Sequence, residues 1–233
     1  MTRIRHLAGI LLALSLGNHA LPTQAAEAGL DYLELSSPRP TEAKGKVEII
    51  EFFWYGCPHC YRLEPELQAW IKKLPKDVTV RRMPATLNDS WEPMTRAYYA
   101  MEALGLTDKL HAKLFEAIHA NGLNPGKPEV FFDWAAKQGV DKAKLAQAYN
   151  SFSVNAQVMH SRQLVQEYKL TGVPAFAVAG RAGNDRIGIR HARLLRRLRL
   201  RVQHRVHARQ HRDKRRGAVN QRRRTDAQAR GVE

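Results

Sequence analysis

The chain has two cysteines, Cys57 and Cys60, which are separated by Pro58 and His59. Two thiols at this spacing can close a disulfide and be reduced again. A purely structural disulfide is a poor interpretation, because it would close a loop of a few residues and remove little entropy from the unfolded chain. A structural zinc ion is also a poor interpretation, because it needs four ligands and the sequence has no second cysteine pair. The pair is therefore predicted to be a redox-active disulfide, with no metal and no further cofactor.

The elements around this pair predict that its first sulfur is reactive. Residues 47–56 are an apolar run typical of a buried strand, and residues 63–73 have helical spacing. A C-x-x-C pair between a strand and a helix is typical of a thioredoxin-like redox site. Cys57 then falls at the helix N-cap, where free N–H groups and the helix dipole should lower its pKa. Pro58 suits the first turn, and His59 can donate a hydrogen bond or carry charge beside the sulfur. Because these groups stabilise the reduced thiolate, the disulfide is expected to be oxidising.

The remainder of the central region predicts an α/β fold. Further strands are predicted at residues 32–35, 78–83 and 173–179. Helices are predicted at residues 91–104, 108–120, 129–138, 141–150 and 154–170. The block at about 88–151 is too large for a minimal thioredoxin fold, so we interpret it as an inserted helical subdomain that caps the redox site. Its core is predicted from its bulky apolar residues, Phe115, Ile118, Phe131, Phe132 and Trp134.

Two acids lie on the strand before the cysteines. Glu48 and Glu51 are three positions apart on one strand, and successive side chains alternate between its faces, so the two acids point to opposite faces of the sheet. Glu48 is at the strand start and is expected to reach water. Glu51 is the better candidate for a carboxyl buried beneath the disulfide, where desolvation would raise its pKa and it could relay protons when Cys60 ionises. The alternative is a partly solvated strand acid.

The amino terminus has the form of a secretory signal peptide at residues 1–26. Arg3 and Arg5 give it a basic start, and the apolar run at residues 7–16 is too short to span a membrane. An uncleaved anchor is the alternative. Export agrees with the cysteines, because a dithiol in an oxidising compartment can act as a disulfide donor.

Residues 181–233 have a different composition from the rest of the chain. They contain 17 Arg and one Lys against four acids, so they carry +14 of the net charge of +16, and they lack aromatic side chains. A basic arm could bind nucleic acid, or a basic amphipathic segment at residues 187–206 could lie on anionic lipid. We favour a third explanation, a shifted reading frame in a GC-rich gene, which gives a disordered tail. Nucleic acid is not an expected partner, because an exported protein rarely meets it.

Two segments and the helical block together resemble the DsbA family of periplasmic thiol:disulfide oxidoreductases. The segments are residues 51–60, EFFWYGCPHC, and residues 171–176, TGVPAF. The resemblance covers residues 27–180 and implies a thioredoxin-like domain with a helical insertion. It also implies that Pro174 is cis and faces the disulfide, and that Val173 offers backbone hydrogen bonds to a substrate strand, a form of β-augmentation. The buried acid of the family corresponds to Glu51.

By the same resemblance, Cys57 is the attacked sulfur and Cys60 is its buried partner. The implied activity is donation of the disulfide to reduced, newly exported proteins in the periplasm. A DsbB-type membrane oxidase is the implied partner, and the implied oligomeric state is a monomer. The family continues after Gly180 with a last strand and a C-terminal helix, and both are predicted to be missing from this chain.

Three other interpretations stay open at this point. The same fold could serve a disulfide isomerase or a reductase. The chain could be a binding module whose basic tail contacts lipid or a polyanion. It could also be the non-functional product of a frameshifted gene.

Overall fold

The computed structural model describes residues 33–35, 43, 45–124, 126–179 and 186–189. The predicted signal peptide at 1–26 and most of the 181–233 region lie outside these residues. The strands are β1 (Leu33–Glu34), β2 (Val47–Phe53), β3 (Val78–Pro84), β4 (Ala175–Ala179) and β5 (Arg186–Ile189). The helices are α1 (Pro58–Ile71), α2 (Glu92–Ala103), α3 (Thr107–His119), α4 (Pro128–Lys137), α5 (Lys142–Tyr149) and α6 (Phe152–Glu167), and a 3₁₀ turn (Asp89–Trp91) precedes α2. No helix in these ranges is long and apolar enough to cross a membrane.

The strands form one mixed sheet in the order β1-β5-β4-β2-β3. The central strand β2 is parallel to β3 and antiparallel to β4. A parallel pair needs a crossover, and α1 supplies it. Strand β2 is buried along its whole length, with Ile49 packed in the cluster that contains Leu67 of α1. Phe52, on the opposite face, packs with Tyr168, which follows α6. Helices on both faces of a mixed sheet confirm the predicted α/β class.

The helical insertion forms one apolar core with the end of β2. Phe115, Phe131 and Phe132 are buried in it, while Ile118 and Trp134 pack against it from partly buried positions. The predicted core residues of the insertion are therefore confirmed. The same cluster contains both cysteines, so the insertion covers the end of the sheet where the dithiol lies.

The prediction that the last strand is missing is wrong. Strand β5 (Arg186–Ile189) pairs antiparallel with β4, and β1 pairs with its other edge. Strand pairing uses backbone N–H and C=O groups, so an arginine-rich composition does not prevent it. The predicted absence of a C-terminal helix concerns residues outside the described ranges.

The expectation that Glu48 reaches water is also wrong. Its side chain is 2% exposed, and Arg81 donates from Nε to its Oε1 at 3.1 Å. Strands β3 and β4 flank the start of β2 on both sides, so the beginning of this strand is not an open end.

Candidate active site

The dithiol lies where strand β2 leads into helix α1. Cys57 is the N-cap of α1 with extended backbone (φ −88°, ψ 112°), and Pro58 occupies the first turn. The two elements are connected by a turn, in which the Cys57 N–H donates to the Trp54 carbonyl at 3.0 Å. Both cysteines are free thiols and buried, Cys57 at 6% exposure and Cys60 at 1%. The first sulfur thus stands at the helix N-terminus, the position that the sequence spacing predicts.

The two sulfurs have opposite electrostatic environments. The pKa of Cys57 is lowered from 9.0 to about 6, first by the hydrogen bond from the Cys60 thiol and then, against the effect of burial, by the N–H groups of Cys60 and His59 and the charge of Arg62. The Cys60 N–H reaches the Cys57 sulfur at 3.3 Å. Burial, followed by the contact with Cys57, raises the pKa of Cys60 well above its usual value. At neutral pH the reduced site therefore holds one thiolate, Cys57, and one thiol, Cys60.

An exposed cation accompanies the residue between the cysteines. Arg62 donates from Nη2 to Nδ1 of His59 at 2.8 Å, one helical turn along α1. Sequence reasoning identified His59 and missed Arg62. The i, i+3 spacing of the two residues on a helix was the available signal.

The segment before β4 lies against the first sulfur. The Val173–Pro174 peptide bond is cis, as the family resemblance implied, and Pro174 is buried. The Cys57 sulfur lies 3.5 Å from the Val173 carbonyl oxygen, to which it donates when it is protonated. Antiparallel pairing of Phe52 with Ala175 brings this segment to the end of β2 that carries the dithiol. A backbone carbonyl is thereby placed beside the sulfur that a substrate would reach.

Glu51 lies on the face of the sheet that α1 covers. Its side chain is 2% exposed, and Arg82 of β3 donates from Nε to its Oε2 at 3.1 Å. Burial raises its pKa to about 7, against the opposing charge of Arg82 and with a contribution from Glu64. The charge of Glu51 also raises the pKa of Cys60, so the two groups interact. The carboxyl is thus buried as predicted, and the partly solvated alternative is wrong.

Residues 48–194 match a family profile described as a DSBA-like thioredoxin domain. The chain belongs to this family. A thiol:disulfide interchange protein DsbA of Burkholderia cepacia is 43% identical over 175 residues, which are 73% of this chain and 82% of that protein. The DsbA of Pseudomonas aeruginosa PAO1 is 39% identical over 175 residues, 75% of this chain and 83% of that protein.

Solved structures give the same result for the fold. A crystal structure of a single-residue variant of Pseudomonas aeruginosa DsbA superposes with a TM-score of 0.72 at 36% identity, over 79% of this chain and 98% of that one. The oxidoreductase DsbA of Xylella fastidiosa gives a TM-score of 0.71 at 29% identity, over 78% of this chain and 98% of that one. The chain therefore has the thioredoxin-like fold with a helical insertion and is a thiol:disulfide oxidoreductase. The DsbA-family match ends at residue 194 and so includes β5.

Behind the dithiol, this DsbA-family chain has a group of polar side chains that the sequence did not indicate. Arg82 Nη2 donates to Glu64 Oε1 at 2.9 Å, while His111 Nδ1 lies 2.7 Å from the Tyr55 hydroxyl. The described residues contain no cluster of three or more His, Cys, Asp or Glu side chains that could hold a metal ion. Sequence reasoning missed these residues because they come from four different elements and share no local spacing.

The turn before Cys57 depends on a glycine. A β-carbon at Gly56 would overlap the Trp54 ring, so a larger residue would force this turn to shift. Trp54 is held in place by stacking on Trp91, with ring centroids 4.2 Å apart and planes 3° from parallel. The aromatic pair and Gly56 thus fix the path of the chain into the N-cap.

Proposed function

We propose that this oxidoreductase works as a dithiol oxidase, in which Cys57 is the sulfur that receives the substrate. The observation that supports this direction is the contrast between the two sulfurs. Cys57 has a pKa of about 6, while the pKa of the buried Cys60 is raised. Groups that stabilise the Cys57 thiolate favour the reduced protein, and so they make the disulfide a stronger oxidant. Pro58 starts the helix, and the backbone N–H of His59 faces the Cys57 sulfur and stabilises its thiolate.

The proposed reaction has two exchange steps. A substrate thiolate attacks Cys57 Sγ, the Cys57–Cys60 bond breaks, and Cys60 leaves with the electron pair and takes up a proton. A second substrate thiolate then attacks the substrate sulfur of the mixed disulfide and expels Cys57 as a thiolate. The substrate loses two electrons, which remain in the protein's dithiol. No cofactor other than the protein's own disulfide takes part.

Glu51 is the proposed proton donor to Cys60. A buried thiolate at Cys60 is a poor leaving group because its pKa is raised. A carboxyl with a pKa of about 7 is half protonated at neutral pH, so it can supply a proton when Cys60 leaves and accept one when Cys60 must ionise.

Val173 and Pro174 are the proposed contact for the substrate backbone. The Val173 carbonyl lies 3.5 Å from Cys57 Sγ, within reach of an extended chain whose cysteine is bonded to that sulfur. Pairing with backbone groups accepts many sequences, and this suits a protein that acts on varied reduced proteins.

We propose that the chain is exported by residues 1–26 and acts in the periplasm as a monomer. Each turnover leaves a dithiol, so an electron acceptor is needed, and a DsbB-type membrane oxidase is the proposed one. Cell fractionation and amino-terminal sequencing of the mature protein test the export. Retention of residues 1–26 on a cytosolic product would contradict it.

We also propose that the sequence beyond the family match, residues 195–233, comes from a shifted reading frame. The match ends at residue 194, and the arginine-rich composition continues to the end. Resequencing the gene tests this proposal. An aromatic-bearing helix in another frame would support it, whereas an uninterrupted frame that encodes the same basic segment would favour a lipid- or polyanion-binding tail.

The direction of the activity is tested by equilibrating the full chain with glutathione buffers and measuring the fraction reduced. We expect a potential well above that of thioredoxin, and a potential as low as thioredoxin's would favour a reductase. A reduced two-cysteine peptide serves as the substrate. The same peptide in its disulfide form tests which sulfur is reactive: the Cys57 thiolate of Cys60→Ser should attack it, expel one peptide sulfur as a thiolate and stay joined to the other, and the matched Cys57→Ser variant should form no such mixed disulfide.

A further inference from the structure

Five polar side chains form a continuous group that joins the sheet and α1 to the helical insertion. We call this group the buried relay cluster, and its members are Glu51, Tyr55, Glu64, Arg82 and His111. The two acids, the tyrosine and the histidine are 0–3% exposed, and the Arg82 side chain is 17% exposed. The members come from β2, the turn after it, α1, β3 and α3. The cluster therefore links the insertion to the acid that interacts with Cys60.

One cation in this cluster faces two carboxyls. Arg82 donates from Nε to Glu51 Oε2 at 3.1 Å and from Nη2 to Glu64 Oε1 at 2.9 Å. Two ionised carboxylates and one guanidinium would leave an uncompensated negative charge in a buried site. Such a charge is costly, so one carboxyl of the pair should retain a proton near neutral pH.

The surroundings of the two carboxyls decide which one retains it. Glu64 accepts a hydrogen bond from Gln68 Nε2 at 2.8 Å, in addition to that from Arg82. Its other oxygen, Oε2, lies 3.5 Å from His111 Nε2. Neither of these two buried atoms has a closer hydrogen-bond partner among the described residues. Among the described residues, Glu64 accepts from both Gln68 and Arg82 while Glu51 accepts from Arg82, and hydrogen bonds to a carboxylate favour its charged form.

The hydrogen-bond pattern also assigns the tautomer of His111. If Nε2 had no proton, its lone pair would face the lone pairs of Glu64 Oε2 in a dry site. The favourable arrangement puts the proton on Nε2, directed at Glu64, and lets Nδ1 accept from the Tyr55 hydroxyl at 2.7 Å. Burial lowers the pKa of His111, which keeps the ring neutral.

We propose that His111 is a positioning residue of the dithiol reaction: by donating to Glu64 it keeps that carboxyl ionised, so that the exchangeable proton of the pair resides on Glu51, beside Cys60. This inference rests on the proposed role of Glu51. It assigns to the helical insertion a chemical task in addition to covering the site.

The charges that face the cluster agree with this assignment. Burial alone would raise the pKa of Glu64, but the His111 contact and Arg82 outweigh it and hold this pKa below its usual value. The pKa of Glu51 is raised to about 7, first by burial. The other titratable groups here are Cys60 on α1 and Tyr98 on α2, and burial raises the pKa of both.

The test is a carbon-13 NMR titration of the full, oxidised chain with labelled glutamate carboxyls. Glu51→Gln assigns the resonance that titrates near pH 7. In His111→Phe we expect the midpoint of Glu64 to rise by about one pH unit, the size of shift that follows loss of one hydrogen bond to a charged group, and the midpoint of Glu51 to fall because Glu64 then retains the shared proton. His111→Gln retains a donor and should restore part of the shift.

His119→Phe is the matched control. It makes the same substitution on the same helix, but His119 contacts the Tyr55 backbone carbonyl at 2.8 Å rather than a carboxyl. An unchanged Glu51 midpoint is expected in this variant. Equal midpoints in His111→Phe and the wild type would overturn the proposal.

A second variant keeps the proposal testable if His111→Phe does not fold. Glu64→Gln removes the competing charge, so Arg82 should pair with Glu51 alone and the Glu51 midpoint should again fall. An unchanged midpoint would refute the competition for Arg82. The titration needs no substrate, so a shift found in a protein without oxidase activity would support the placement of the proton on Glu51 by His111 and overturn only the proposed function.

Discussion

Replacing Cys60 by alanine should raise the pKa of Cys57. The hydrogen bond from the Cys60 thiol is the largest single cause of the low pKa, and alanine removes it. The N–H groups at the start of α1 stay in place, including the Cys60 N–H at 3.3 Å from the sulfur. The variant thus separates the contribution of the second thiol from that of the helix N-terminus.

The size of the effect follows from the value of one such hydrogen bond. A hydrogen bond to a charged group contributes about 1.5–3 kcal/mol, and one pKa unit corresponds to about 1.4 kcal/mol. The pKa of Cys57 should therefore rise by about one to two units from its wild-type value of about 6. The thiolate fraction at neutral pH should then fall from about nine-tenths to between roughly half and one-tenth.

Ultraviolet absorbance of the thiolate, measured against pH in the reduced protein, gives this pKa directly. The pH dependence of alkylation by iodoacetamide gives it independently, because the thiolate is the reacting form. Cys60→Ser is the matched control, since its hydroxyl keeps a donor and should hold the pKa closer to the wild-type value. A Cys60→Ala protein that still titrates near the wild-type value would refute the reasoning and assign the shift to the helix N-terminus.

Three further predictions concern stability. The folded-state pKa of Cys57 is lowered from 9.0 to about 6, so its stabilisation of the reduced protein is complete above about pH 9 and is lost as the pH falls through about 6. Denaturant titrations at pH 5 and pH 8 should show the reduced form gaining about 2.5 kcal/mol relative to the oxidised form, and a pH-independent difference would contradict this. Phe115→Ala should lower the free energy of unfolding by about 3–5 kcal/mol in the same assay, because it empties a fully buried site. Ser161→Ala should lower the free energy of unfolding by about 1–3 kcal/mol. The reason is that the Ser161 hydroxyl donates to the buried Pro84 carbonyl at 2.6 Å and contacts Thr86 at 3.2 Å. A loss below about 0.5 kcal/mol, measured against a Ser90→Ala surface control, would show that these groups find other partners.

The features that the sequence predicted correctly depend on neighbouring residues. Strand β2 and helix α1 are set by local apolar patterns, and Cys57 follows them to the N-cap because it stands directly before the helix. The local sequence does not decide the isomer of the Val173–Pro174 bond, because a proline before a strand is compatible with either one. The cis bond was expected only from the family resemblance.

Composition was a poor guide to where the sheet ends. The change at residue 181 suggested that no further strand follows, yet β5 extends the sheet beside β4. A strand needs a backbone partner and a register more than it needs a particular composition. The edge of β4 supplies the partner here, and β4 is itself held in the sheet by β2, which lies far from the tail in the sequence.

The partners of Glu48 and Glu51 can be worked out once β3 is known to lie beside β2, because successive residues of a strand point to opposite faces of the sheet. Glu48 and Glu51 point to opposite faces of β2, and Arg81 and Arg82 point to opposite faces of β3. In the observed register Glu51 lies opposite Arg82, and each acid meets the arginine on its own face. A slip of one residue would exchange the two arginines between the faces, so Arg82 would leave Glu51 and Glu64. Val80 and Met83 would likewise leave the apolar clusters that they now contact. The apolar and charged contacts of β3 therefore favour the register that pairs Arg82 with Glu51, so the pairing that stabilises the sheet also holds the acid that interacts with Cys60.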